Sequence, residues 1–239
     1  MSETNLDLYL IIPVFNEEDI IEHVVNEWHQ TLNSLAIQFK ICIYDGGSTD
    51  KTLEKLTILN KKYANCCYFE CPKFHGPTLV EAYNTHTDSE WIFQVDSDNE
   101  ISASFFKEFW DNRHNHDFLI GYRSHRKQPF FRLILTKTCS FLVSMLFGRH
   151  IQDLNIPFRL MKTATYKPLF NCINVHCHCP NVLISAMTNN LKLATKQFPV
   201  RYIFRTTGQD ISYKKLIGIA ANCFFSILFF GIQKPYLKK

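Results

Sequence analysis

Residues 93–98 read Phe-Gln-Val-Asp-Ser-Asp, an apolar run that ends on two carboxylates one residue apart. Side chains at positions i and i+2 of a β-strand point to the same side, so Asp96 and Asp98 can share one ligand. Paired acids at the C-terminal end of a strand are suited to holding a divalent cation against phosphate groups. A strand that leads into an Asx turn has a similar local sequence and needs no metal. The rest of the chain decides between these interpretations.

The sequence before this run alternates between apolar strands and amphipathic helices. Strands are predicted at residues 8–14, 39–44, 65–70 and 91–95, with helices that begin near Asn16, Thr49 and Pro77. Asn16 is the predicted N-cap of the first helix, because apolar residues recur at helical spacing from Ile20 to Leu32. Repeated strand–helix alternation predicts right-handed βαβ units and a mainly parallel sheet covered on both faces.

Acid-bearing loops follow three of these strands, at residues 13–17, 45–50 and 96–100. Ligands bind beyond the C-terminal ends of the strands in sheets of this kind, so the three loops are predicted to meet on one rim. The sequence contains neither G-x-G-x-x-G nor G-x-x-x-x-G-K-[ST]. A Rossmann dinucleotide site and a P-loop are therefore disfavoured.

Composition limits the class of protein. The chain has 239 residues, 46% of them hydrophobic, and this length suits one large α/β domain or one domain with an appendage. The net charge of +4 does not argue for nucleic-acid binding. Nine cysteines without an export signal indicate reduced thiols in the cytosol. The Cys/His cluster at residues 172–179 lacks a second C-x-x-C pair, so loop or core cysteines are favoured over a zinc site.

The second half of the chain contains two long apolar segments. Residues 130–148 carry a polar side chain at every fourth position, and residues 216–232 are 17 uncharged residues between lysines. As a helix, the second segment would span ~25 Å, which is marginal for a hydrocarbon core of ~30 Å. We interpret both as helices in the membrane interface, with core helices of a soluble protein as the alternative.

Taken together, the motifs resemble family 2 glycosyltransferases of the GT-A fold, especially the enzymes that load a sugar onto a polyprenyl or dolichyl phosphate. The matching segments, in order, are residues 12–18, 45–50, 96–98, 121–123 and 153–160. The resemblance implies an α/β fold with a mixed, mainly parallel sheet flanked by helices. It implies a GT-A domain over residues 1–212, including an interfacial helix at about 130–148, and a membrane-associated amphipathic helix over residues 213–239.

The resemblance also implies a donor site. The nucleotide would contact Pro13, Phe15, Glu17, Asp45, Asp96 and Ser97. Mg²⁺ or Mn²⁺ would be held by Asp96, Asp98 and Glu100, the last standing where the family often has Gln. Gly46 stands where the family often has a second Asp, and one base-facing carboxylate does not separate UDP from GDP.

On the acceptor side, the resemblance assigns phosphate contacts to Arg123, Arg132 and Thr136, and Arg205 is a further such residue. The expected catalytic residues are Asp153 and Asp98. An alcohol acceptor would need Asp153 as a general base, whereas a phosphate acceptor is already anionic and needs cations to position it. Phe158 and Arg159 either orient Asp153 or close the acceptor side, and the sequence does not choose between these roles.

These expectations describe an inverting, metal-dependent transfer of a hexose from a nucleotide sugar to a polyprenyl phosphate. The enzyme would be peripheral or monotopic at the cytosolic face of a membrane. One alternative is the same fold acting on a soluble or envelope glycan, with the apolar segments forming a homo-oligomer surface. Another is a catalytically silent subunit that binds the nucleotide sugar, which the intact Asp96, Asp98 and Asp153 disfavour.

Overall fold

The computed structural model describes residues 6–124 and 151–203. Seven strands in this part of the chain form one sheet: β1 Leu6–Val14, β2 Phe39–Asp45, β3 Cys66–Glu70, β4 Ser89–Val95, β5 Phe118–Ser124, β6 Phe158–Lys162 and β7 Thr195–Arg201. The α-helices are α1 Ile21–Ser34, α2 Thr52–Lys62, α3 His75–Thr85, α4 Phe106–Asp111, α5 Thr163–Phe170 and α6 Pro180–Asn190. Short 3₁₀ turns lie at Ala103–Phe105 and Arg113–Asn115.

The strands lie in the order β3-β2-β1-β4-β6-β5-β7. Strand β6 pairs antiparallel with both β4 and β5, and the other neighbouring pairs are parallel. The mixed, mainly parallel sheet is therefore confirmed. Because β1, β2 and β4 run in the same direction, the loops that follow them leave the sheet on one edge, as predicted.

The core explains why these strands are continuous apolar runs. Leu10, Ile41 and Phe93 are completely buried, because helices cover the central strands on both faces. The apolar stripe of α1 is confirmed, and its Trp28 packs against Phe93 with ring centroids 5.3 Å apart. Strand β4, which leads into the paired acids, lies at the centre of the sheet between β1 and β6.

Two local predictions were wrong. Helix α1 begins at Ile21 with Ile20 at the N-cap, so Asn16 does not cap it, and α2 begins at Thr52 rather than near Thr49. Asn16 instead has a φ of 54°, and its side-chain oxygen accepts a hydrogen bond from the Thr49 amide in the loop after β2. Asn tolerates this left-handed conformation better than most residues, so the chain can turn sharply after β1.

The predicted interfacial helix at about 130–148 and the segment 213–239 lie outside the described residues, as do Arg132, Thr136 and Arg205. Across residues 6–124 and 151–203, none of the helices has both the length and the apolar character that a membrane crossing requires.

Candidate functional site

The loops after β1 and β2 are joined by hydrogen bonds that run in both directions. The Asn16 amide donates to Ser48 Oγ at 2.9 Å, and the Thr49 amide donates to Asn16 Oδ1 at 2.7 Å. A second exchange follows, in which the Glu18 amide donates to an Asp50 carboxylate oxygen and the Lys51 amide donates to a Glu18 carboxylate oxygen. The two loops therefore form one preorganised edge of the rim.

Asp45 is 1% exposed at the end of β2. Its Oδ2 accepts hydrogen bonds from the amides of Gly47 and Ser48, both at 2.9 Å, and its Oδ1 accepts from the Ser48 hydroxyl. This bonding shapes the loop after β2. Any contact of Asp45 with a base would have to use a remaining lone pair of these two oxygens.

Three carboxylates follow β4 at the same rim. Asp96 keeps a side-chain exposure of 29%, and burial raises its pKa above the ordinary value. Burial, together with the neighbouring Asp96 and Glu100 carboxylates, raises the pKa of Asp98 to about 8. The folded chain thus gathers carboxyl groups whose ionisation is disfavoured here, and a bound cation would favour their charged form.

The carboxylates of Asp96, Asp98 and Glu100 meet only part of what a divalent ion needs. Carboxylate oxygens suit Mg²⁺ and Mn²⁺, and the mutual repulsion of these acids favours a cation. Among the described residues, however, no group of three or more His, Cys, Asp or Glu side chains is arranged to hold a metal. Asp96, Asp98 and Glu100 therefore do not form a complete protein cage, and phosphate oxygens of a ligand would have to supply the remaining coordination.

Arg123 and Asp153 face each other on the other side of the rim. The Arg123 guanidinium donates to Asp153 Oδ2 at 3.1 Å, and the two side chains are 12% and 4% exposed. Arg123 Nε and Asp153 Oδ1 are buried and have no hydrogen-bond partner among residues 6–124 and 151–203. The pair therefore retains one donor and one acceptor in a poorly hydrated place.

Arg159 lies under the loop that carries Asp153. It is fully buried in β6, and its guanidinium donates to the carbonyl oxygens of Leu154, Ile156 and Asn181 at 2.7–3.1 Å. Of the two roles left open by the sequence, this geometry supports orienting the Asp153 loop. Phe158 points into the core and packs edge-to-face against Phe93.

Two further residues lie near the acidic carboxylates. Burial and the neighbouring Glu100 carboxylate raise the pKa of Tyr202, whose ring lies 4.9 Å from the Arg123 guanidinium carbon. His75 at the start of α3 lies 4.0 Å from Asp96 Oδ1. Neither residue was selected from the sequence as a site residue.

The structure thus brings together most of the predicted positions that it describes. Pro13 is buried in β1, Phe15 is 53% exposed beside the loop after β2, and Ser97 is buried between the two aspartates. In the Cys/His cluster, Cys177 and Cys179 are buried and Cys172 is exposed, in the loop before α6. Gln94 was missed, although a polar side chain inside an apolar strand signals a buried partner.

A family model described as glycosyl transferase family 2 matches residues 9–172. The chain belongs to this family. Its sheet and flanking helices have the GT-A arrangement.

Curated relatives are distant and longer than this chain. The undecaprenyl-phosphate 4-deoxy-4-formamido-L-arabinose transferase of Edwardsiella ictaluri is 20% identical over 225 residues, covering 88% of this chain and 64% of the relative. The protein of the same name from Yersinia enterocolitica is also 20% identical, covering 91% of this chain and 66% of the relative. The chain thus spans about two thirds of the length of these relatives.

Solved structures support the fold. Glucosyl-3-phosphoglycerate synthase from Mycobacterium tuberculosis, in complex with UDP, aligns with a TM-score of 0.68 at 12% identity, covering 95% of this chain and 80% of that one. Its complex with Mn²⁺ and UDP-glucose aligns with a TM-score of 0.64. The S. aureus TarS fragment bound to UDP aligns with a TM-score of 0.62 at 18% identity, covering 93% and 66% of the two chains.

Proposed function

We propose that this glycosyltransferase moves a hexose from a UDP- or GDP-linked donor to a polyprenyl phosphate, with inversion at the anomeric carbon and with Mg²⁺ or Mn²⁺. The observation that carries the proposal is the placement of an acidic cluster, Asp96 to Glu100, opposite the buried Arg123–Asp153 pair on one rim. The acidic side suits a metal–diphosphate unit, and the basic side suits a second phosphate.

The donor side is argued from charge. Mg²⁺ is commonly held by one or two carboxylates plus substrate phosphates, and Asp96 and Asp98 would supply those carboxylates. When bound, the ion would offset the charge that develops on the leaving nucleoside diphosphate. We assign nucleotide contacts to the rim residues predicted from the sequence, namely Pro13, Phe15, Glu17, Asp45, Asp96 and Ser97.

The acceptor side is argued from the unpaired atoms of the basic pair. Arg123 is a permanent cation whose Nε lacks a partner in the described part of the chain, and a phosphate oxygen would satisfy it. A phosphate monoester needs no general base at neutral pH, so Asp153 would serve by holding Arg123 in place. Arg132, Thr136 and Arg205, outside the described residues, are proposed as further phosphate contacts.

The relatives support this acceptor class. Their name gives undecaprenyl phosphate as the acceptor, and the UDP complexes of the structural neighbours support a nucleoside diphosphate donor. We extend the proposal to the cytosolic face of a membrane, with segments 130–148 and 213–239 in contact with its surface.

One oxygen of Asp153 favours a second function, transfer to an alcohol acceptor. Asp153 Oδ1 has no partner among the described residues, so it could accept the proton of an alcohol. The acceptor would then be a sugar hydroxyl of a soluble or envelope glycan, and Asp153 would act as the general base.

A transfer assay separates these functions. The purified chain would receive labelled UDP- or GDP-hexoses and Mn²⁺ with either vesicles containing undecaprenyl phosphate or a soluble glycan. Label in the lipid phosphate is the expected result, and it should be lost in Asp98→Asn. Asp111→Asn, which removes an exposed carboxylate on α4, is the matched control and should retain activity. Label in the glycan alone would overturn the proposal in favour of the second function.

A further inference from the structure

A line of buried polar side chains reaches Asp96 from behind the rim. Gln94 Nε2 donates to Asp96 Oδ1 at 3.1 Å, Asn181 Nδ2 donates to Gln94 Oε1 at 3.2 Å, and the Tyr83 hydroxyl donates to Asn181 Oδ1 at 3.1 Å. Gln94 and Tyr83 are 0% exposed, and Asn181 is 4% exposed. We refer to Tyr83, Asn181 and Gln94 as the relay.

Strand register explains how the relay meets Asp96. Gln94 and Asp96 are two residues apart, so their side chains leave β4 on the same face. Gln94 is also directly opposite Arg159 in the pairing of β4 with β6. The face that carries the acid therefore also carries the arginine that orients the Asp153 loop.

The relay has one direction of donation. An ionised carboxylate only accepts hydrogen bonds, so Gln94 must turn its NH₂ group toward Asp96 and its oxygen toward Asn181. Asn181 must then donate to Gln94 and present its own oxygen to the Tyr83 hydroxyl. Each donor thus points toward Asp96, an arrangement that stabilises a negative charge there and that weakens if any member is removed.

Asn181 also belongs to the acceptor side. Its backbone carbonyl accepts from the Arg159 guanidinium at 2.8 Å, and Arg159 in turn bonds to the carbonyls of Leu154 and Ile156. Asn181, at the start of α6, is therefore bonded both to Gln94, which contacts Asp96, and to Arg159, which contacts the Asp153 loop.

We propose that Gln94 and Asn181 are positioning residues, which hold the Asp96 carboxylate in a fixed orientation toward the metal–diphosphate unit of the donor. The inference rests on the proposed donor site and adds to it the residues that set its geometry. Such supporting residues typically change metal affinity by about ten- to a hundredfold when they are removed.

The test is calorimetric titration of Mn²⁺ into the protein saturated with UDP or GDP, beside titration of each nucleotide without metal. Gln94→Met keeps a similar volume and removes the bond to Asp96. It should weaken Mn²⁺ binding at least tenfold and weaken metal-free nucleotide binding far less. Thr188→Val is the control, because Thr188 is equally buried and its hydroxyl, within the described residues, bonds to Tyr166 and to its own helix.

A second pair of variants covers the case in which Gln94→Met does not fold. Tyr83→Phe and Tyr166→Phe each remove one hydroxyl from a fully buried tyrosine bonded to α6, but only Tyr83 belongs to the relay. We expect a similar drop in melting temperature for both. Only Tyr83→Phe should also weaken Mn²⁺ binding.

The outcomes are distinct. Equal Mn²⁺ affinity in wild type, Gln94→Met and Tyr83→Phe would overturn the positioning role while the donor site stands. Equal weakening in Tyr83→Phe and Tyr166→Phe would show a general loss of packing, and would also overturn it. If the wild-type chain binds neither nucleotide with Mn²⁺, the proposed donor site and this inference both fail.

Discussion

The two sides of the rim are built differently. On the donor side, the loops after β1 and β2 satisfy each other, since amides of one loop donate to side chains of the other through Asn16, Ser48 and Glu18. On the acceptor side, Arg123 and Asp153 are buried together and each has an atom without a partner in the described part of the chain.

The difference concerns what completes each surface. A loop pair with its own hydrogen bonds keeps its shape without a ligand, which suits a constant group such as a nucleotide. Buried polar atoms are normally satisfied, so Arg123 Nε and Asp153 Oδ1, which lack partners within the described ranges, indicate a surface that another group completes. We therefore expect substitutions on the acceptor side to lower stability by leaving a buried charge without its partner. Substitutions on the donor side should lower it by breaking hydrogen bonds between the two loops.

The largest expected effect comes from breaking the basic pair. Arg123→Met leaves the Asp153 carboxylate buried without its cation, so the free energy of unfolding should fall by about 3–5 kcal/mol. The double variant Arg123→Met/Asp153→Leu should recover most of this loss and yet transfer no sugar. Urea denaturation and the transfer assay measure the two quantities.

An exposed pair on α4 provides the control. Lys107→Met removes the partner of Asp111, and both side chains are more than half exposed, so the loss should be below about 1 kcal/mol. If Arg123→Met costs no more than Lys107→Met, the acceptor side is not a site of buried charge and the comparison between the two sides fails.

The next effect depends on pH and tests the core behind the donor loops. Burial lowers the pKa of His86, which is 6% exposed and bonded to the Tyr44 hydroxyl, to about 4. The folded state therefore disfavours protonation of His86. The contribution of neutral His86 to the free energy of unfolding is fully present above pH 6.5 and is lost as the pH falls toward 4. The full loss corresponds to about 3 kcal/mol.

Urea denaturation between pH 7 and 4 checks this expectation. His86→Gln should reduce the fall in the free energy of unfolding between pH 7 and 4, which we call the acid limb. His114→Gln, at an exposed position, should leave the acid limb as in wild type. An unchanged acid limb in His86→Gln would mean that other groups control acid stability.

Gly76 tests the contact between α3 and the loop before α6. A Cβ at this position would strike the Cys177 carbonyl oxygen and lie 2.7 Å from the His178 backbone. Gly76→Ala should therefore cost about 1–3 kcal/mol of stability, since the loop before α6 must move. Gly46→Ala, whose nearest contact would be 3.4 Å, should leave the melting temperature nearly unchanged. Equal melting temperatures for the two variants would contradict this contact.

The smallest expected effect is loss of loop order on the donor side. Ser48→Ala removes the acceptor of the Asn16 amide and a donor to Asp45, so stability should fall by about 1–2 kcal/mol and nucleotide binding should weaken. Ser34→Ala, on the exposed end of α1, should change neither. Thermal denaturation with and without UDP measures both effects, and a Ser48→Ala protein that binds UDP normally would show that the loops are ordered independently of this bond.

Much of the fold could be predicted because its signals are local and repeated. The apolar runs that became β1, β2 and β4 are buried on both faces, so their sequences are continuous and easily recognised. The start of α1 was predicted incorrectly because Asn16 is a good N-cap in isolation, and only its contact with the loop after β2 gives it another role.

The sequence by itself determined the strand that leads into Asp96 and Asp98, the mainly parallel sheet, and the family to which the chain belongs. Only the tertiary structure decided that Arg123 and Asp153 form a pair, that Arg159 donates to the carbonyl of Leu154 beside Asp153, and that Gln94 is bonded to Asn181. The physical reason is distance along the chain. Gln94 and Asn181 are 87 residues apart, and a buried amide reveals in sequence only that it needs a partner, not which one.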